Sequence, residues 1–153
     1  MKPIKAAFAA FLLFAIPAQA DTSKLQELGK IAETTAMLIK LQVKPEFKVI
    51  TDQQIKEETC VRVETCPSYV SVHVPNSNII YVNDSADLTD LSNQAQIVHV
   101  LAMLAMEQDG QVSADQPCGF VAAKHAYAHV IQAAYTDIKL QELSNAAIEP
   151  PEF

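Results

Sequence analysis

Residues 91–108 constrain the fold of this 153-residue chain more than any other segment. Ile97, Val98, Val100, Leu101, Met103, Leu104 and Met106 spread apolar side chains around most of a helix's circumference. A helix without a wide polar face must be covered on several sides, so the rest of the chain has to supply its walls. The composition can do so: 50% of residues are hydrophobic and 19% charged, a balance that suits one globular domain and not a disordered chain. The formal charge of −7 excludes a nucleic-acid-binding role, which needs a basic face to replace phosphate counterions.

The walls can be read from changes of period. Residues 23–42 alternate apolar positions at three- and four-residue intervals (Leu25, Leu28, Ile31, Ala32, Leu38, Ile39), which predicts a helix capped by Ser23 and ended by Pro45. Residues 47–50 form a short apolar strand, and 52–60 a short helix or loop. Around Val70, Val72 and Val74 the period becomes two. Pro75-Asn76-Ser77-Asn78 then separates that run from Ile79-Ile80-Tyr81-Val82, which predicts a β-hairpin. Asp87 and Asp90 are candidate caps for the central helix; the aspartates at 84, 87 and 90 lack the glycine and terminal acid of a calcium loop. Asp109-Gly110 ends that helix. A last helix spans 118–141, with Phe120, Tyr127, Val130, Ile131, Ala134 and Ile138 on its buried face. The expected fold is α+β: an N-terminal helix, a small antiparallel sheet with a hairpin, a buried central helix and a C-terminal helix. The domain is expected over residues 21–145, with 146–153 a flexible tail.

The first twenty residues read as a targeting segment. Lys2 and Lys5 precede an apolar run at 6–16, Pro17 breaks it, and Ala18-Gln19-Ala20 supplies small residues for a signal peptidase. The run is too short to span a bilayer, which takes about 20 apolar residues. The expected product is soluble and periplasmic or extracellular, with no membrane insertion after cleavage. An oxidising destination favours a disulfide among Cys60, Cys66 and Cys118, and no Cys-x2-Cys spacing points to metal. Cys118 is expected to pair with Cys66, or with Cys60, tying the last helix to the hairpin and closing a loop of about 50 residues. A Cys60–Cys66 link, which closes only a small loop, is the alternative.

Three stretches carry a resemblance: IIYVND, IVHVLAMLAMEQ and CGFVAAKHAYAHVIQAAY. In order and spacing, residues 60–135 resemble a bacterial domain family of unknown function with a zincin-like metallopeptidase core. There the central helix carries a VHExxHxLQ-type motif, and a later helix carries a cysteine and an acid ahead of an Ala-Tyr pair. The resemblance implies a site in which two histidines at i and i+4 hold zinc, a glutamate activates its water, and an acid from the next helix completes the ligands. Mapped onto this chain, those positions are His99, Val100, Met103 and Ala123, beside Ala126-Tyr127. Only His99 keeps its chemistry. Valine takes no proton, and a methionine thioether is a poor zinc ligand. The resemblance therefore implies a pseudoenzyme with no catalytic residues, no cofactor and no zinc at His99, binding an unknown protein or peptide partner through the old cleft.

Read alone, His99 is a packed, hydrogen-bonded core residue, and Met103 and Met106 fill core. Glu107 belongs at the solvated end of the helix. His73 alternates with Val72 and Val74, which puts it on the sheet's outer face, away from His99. His125 and His129 share a helix face and can chelate a metal. The position matching the family's acid, 123, lies on the opposite side, so the pair is expected in a solvent-facing stripe with Ala122, Gln132, Thr136 and Lys139. The alternative function is a zinc-binding protein, or a metal-dependent hydrolase, with His99, His125 and His129 in a rearranged site. No phosphate loop, dinucleotide fingerprint or nucleophile elbow occurs.

Overall fold

A computed structural model describes residues 19–60, 62–110 and 118–148, with side chains from 22 to 147 apart from those of 118–120. Residues 1–18 of the expected signal segment 1–20, and the end of the tail at 149–153, lie outside them, and Gln19 and Ala20 open the first helix. The elements run α1 (Gln19–Ala36), β1 (Glu46–Ile50), α2 (Asp52–Thr59), a 3-10 turn at Val63–Thr65, β2 (Ser71–His73), β3 (Ile79–Asn83), α3 (Leu91–Gln108) and α4 (Cys118–Ile148). This is an α+β fold of four helices and one three-stranded sheet. No helix among the described residues is long and apolar enough to cross a membrane.

α3 is the buried helix its composition demands. Ile97, Val98, Leu101 and Ala102 are fully buried, and α3 packs against α1, β2 and α4. Asp90 caps it, its carboxylate accepting the Ser92 amide at 2.8 Å. Asp87 instead closes the preceding turn by accepting the Thr89 amide and hydroxyl. At the other end Gly110 takes φ 68°, a left-handed conformation that glycine adopts without strain.

The sheet order is β1-β3-β2. β3 pairs antiparallel with β2, as the hairpin signal predicts, but parallel with β1, so the sheet is mixed and not purely antiparallel. The excursion through α2 and the 3-10 turn carries the chain past β3 before β2 begins, which leaves β3 between the other two strands. β3 alternates up to its last residue: Ile80 and Val82 are fully buried, Ile79 and Tyr81 are half-buried, and Asn83 is buried as well. In the hairpin turn Asn76 adopts φ 56°, and the Ser77 hydroxyl donates to the Val74 carbonyl while accepting the Ile79 amide.

Three boundaries differ from expectation. α1 already contains Ser23, so that residue is not its cap. α1 also ends at Ala36, well before Pro45: Leu38 N and Ile39 N both bond back to the Thr35 carbonyl, a tightened turn that tucks Ile39 into the core. α4 continues to Ile148, so 146–148 is helix and not tail.

The disulfide also differs. Cys60 pairs with Cys66, and neither pairs with Cys118. The 3-10 turn between them brings their Cα atoms to 6.1 Å, within bonding range, so a local loop suffices.

α4 lies antiparallel to α3, because Gln94 meets Tyr135 while His99, further along α3, meets the earlier residues His125 and His129. Its buried face is Ala128, Ile131 and Tyr135; Tyr127 and Val130, expected inside, are exposed. A helix with alanine, valine or tyrosine on nearly every side gives a poor phase signal. Tyr135 is wholly buried and donates its hydroxyl to Gln94 Oε1 at 2.8 Å, while Gln94 Nε2 donates to the Leu88 carbonyl. Burial pushes the phenol up to about 12. Tyr135→Phe keeps the ring but strands the Gln94 oxygen, so we expect a destabilisation of about 1 kcal/mol in urea unfolding at unchanged slope. An unchanged midpoint would show that this bond does not fasten α4 to α3.

Candidate functional site

Two polar clusters fix the ends of β2 beside a cleft, and one of them ties it to α3. At the hairpin end, Glu107 uses both carboxylate oxygens: Oε2 lies 3.2 Å from His73 Nδ1 and Oε1 accepts the Asn76 amide at 2.6 Å. The other ring nitrogen of His73 is 2.9 Å from the Ser77 carbonyl. Glu107 is thus a clamp on the turn and not a solvated helix end. His73 lies on the cleft wall with its ring committed to that clamp, and not on an outer face.

At the other end of the strand, Asp52 bonds Lys56 at 2.6 Å and Ser68 at 3.2 Å, and accepts Asn83 Nδ2 at 3.4 Å. The Lys56 bond is the main reason its carboxyl stays below the usual range. Asn83, buried, also donates to the Tyr69 carbonyl and accepts from Ser85, which fixes the chain entering β2.

The cleft between β2, α3 and α4 encloses about 630 Å3, within the range of small-ligand sites. Tyr69, Ser71 and Val72 line one wall and Val100 and Met103 the floor. His99, His125, His129 and Gln132 line the other side. Among the described residues, no aspartate or glutamate lines the cleft.

The histidines are where sequence and structure diverge most. His99 Nε2 stands 3.0 Å from His125 Nδ1 with the two rings stacked, and the His129 ring is tilted against His99 at 4.7 Å between centroids. His129 Nδ1 lies 3.1 Å from Gln132 Oε1. The expected stripe does exist on α4, but it faces the groove beside α3. At about 100° per residue, His125 lies only about 60° from the buried Ala128, and His129 about 40° from His125. Ala123 lies on the far side, exposed and away from the cleft. The reading that placed His125 in open solvent took 123 as the inward position, and that position does not face in.

The family-type zinc set does not fit this site. His99 is present, but Val100 and Met103 pack against the core and Ala123 is absent from the cleft. As placed, no three His, Cys, Asp or Glu side chains among the described residues are arranged to hold a metal ion. The side chain of Cys118 lies outside the described residues. Sequence reading also missed Ser71, a cleft-lining residue whose buried hydroxyl has no partner among the described residues. No sequence signal marks it, because a serine in a short strand is usually an outward position. His125, His129 and Gln132, at i, i+4 and i+7, did carry a legible signal.

The chain matches no family model, no curated protein and no solved structure.

Burial lowers the basicity of His99, and positive charge on His129 or His125 lowers it further, against a hydrogen bond to Gln132 that raises it. The folded protein therefore binds this proton less readily than the unfolded chain, whose histidines titrate near about 6.5. The stability this neutral ring contributes is complete above that pH and is lost as pH falls through the lowered folded value. In a chelating buffer, the urea midpoint should fall between pH 7.5 and pH 5, and fall less in His99→Gln. An identical pH slope in the variant would contradict this.

Proposed function

We propose that this chain is an exported, non-catalytic binding protein that holds an extended peptide or protein segment in the cleft between β2 and the α3–α4 pair. The observation that carries this reading is the chemistry of the cleft: it combines an apolar floor with isolated polar groups, and no carboxylate lines it among the described residues. Hydrolysis of the HExxH kind needs a base to receive the proton of the attacking water. Val100, at the base's position, has nothing to offer. Binding needs less. Val72, Val100 and Met103 supply an apolar surface, and Met103 adapts to varied shapes.

Export is supported by the Lys2-to-Ala20 segment and is compatible with the Cys60–Cys66 disulfide, which persists in oxidising compartments. A periplasmic or extracellular location follows from that reading.

The test uses fluorescently labelled casein with added zinc. No fragments should be released. In parallel, unlabelled casein peptides should perturb the methyl resonances of Val72, Val100 and Met103. Fragment release that disappears in His99→Ala would overturn the non-catalytic reading, and unperturbed methyl resonances would overturn the peptide-binding one.

A further inference from the structure

We propose that His99, His125 and His129 form a zinc site on the α4 side of the cleft, oriented by Gln132. This goes beyond the peptide-binding reading and does not depend on it. It also differs from the zincin-type set, since two of its three ligands come from α4.

The first argument is distance. Two nitrogens bound to one tetrahedral zinc at 2.0–2.1 Å stand about 3.3–3.4 Å apart. His99 Nε2 and His125 Nδ1 are 3.0 Å apart, so they already lie near one edge of such a tetrahedron. The third ligand is close. His129 sits one helical turn from His125, and its ring centroid is 4.7 Å from that of His99.

The rings do not yet share one point, for a local reason. Without a cation, the lone pair of one imidazole takes the hydrogen of its neighbour, and His129 turns toward Gln132. Loading separates the first pair by a few tenths of an ångström and turns the His129 ring on its exposed side chain.

The protons balance. One nitrogen of the His99–His125 pair carries the shared hydrogen. When zinc enters, that ring moves the hydrogen through water to its other nitrogen, so both lone pairs face the metal. All three ligands stay neutral. His129 needs no such change when its Nδ1–H donates to Gln132 Oε1, since Nε2 is then the free lone pair. A carbonyl on the far nitrogen of a ligating histidine is the usual arrangement that fixes tautomer and ring direction.

Zinc fits these donors. Three neutral imidazoles suit zinc, copper or nickel, whereas calcium and magnesium call for oxygen ligands that the three rings do not supply. Three protein ligands leave a fourth position for a donor group of whatever occupies the cleft.

The experiment is equilibrium dialysis of the purified protein, free of any histidine tag, against zinc chloride. One zinc per chain is expected. Gln132→Ala should weaken binding about 10- to 100-fold, and His125→Ala and His129→Ala by more. Both histidines are exposed, so these variants should keep the circular dichroism spectrum of the parent. His99→Gln should also lose stoichiometric zinc. If His99→Gln does not fold, the comparison rests on zinc raising the melting temperature of the parent but not of His129→Ala. Parent uptake no greater than that of the His125→Ala/His129→Ala double variant overturns the site. So does full uptake by a folded His99→Gln variant, which would leave only a two-histidine chelate on α4.

Discussion

The pairing of α3 with α4 is the interaction on which the rest of this structure depends. α3 has apolar residues around most of its surface and cannot face water on a broad front. The sheet and α1 cover part of it. α4 covers the remainder, and does so closely because small residues, Ala95, Ala102, Ala105 and Ala128, lie in the buried core of these two helices. The Tyr135–Gln94 bond sets the register of the antiparallel pair. Once that register is fixed, the position of His99 against the 125–129 turn of α4 follows from helix geometry alone. The histidine cluster is thus a consequence of core packing, placed at the edge where the buried seam opens into the cleft.

The opposite wall depends on polar ties and not on apolar area. β2 is only three residues long and would be a weak strand by itself. It is held at one end by Glu107, which joins His73 and the Asn76 amide to α3, and at the other by Asp52 and Asn83. The Cys60–Cys66 loop shortens the free chain leading into it. These ties hold the wall opposite the three imidazoles in place.

Much of the fold was legible because it rests on strong local signals. The burial of Ile97, Val98, Leu101, Ala102 and Leu104 follows from composition. The hairpin follows from a change of period around Pro75–Asn78, and the α3 stop from Asp109-Gly110. What stayed hidden was tertiary. The parallel partner of β3 cannot be inferred when the connection through α2 has no length signature. The disulfide was misassigned because a loop-entropy argument favours long-range links, whereas a single 3-10 turn brought Cys60 and Cys66 together. The site was half-legible. The i, i+4, i+7 pattern of His125, His129 and Gln132 is plain in the sequence, but its direction depends on the phase of α4. That helix is too uniformly apolar to reveal its phase. Ala128, Ile131 and Tyr135 face inward, and a reading anchored on Ala123 rotated the histidines outward.

The central claim is that α3 and α4 meet in a register that stacks His99 on His125 and sets it against His129. Cross-ring nuclear Overhauser contacts in histidine-labelled protein, recorded near pH 7.5 with a chelator present, test it most directly. The account predicts contacts from the His99 ring to both His125 and His129, alongside contacts between the Tyr135 ring and Gln94. Tyr135–Gln94 contacts without any among the three imidazoles would contradict it, since the helices would then be paired as described while the histidines stood apart.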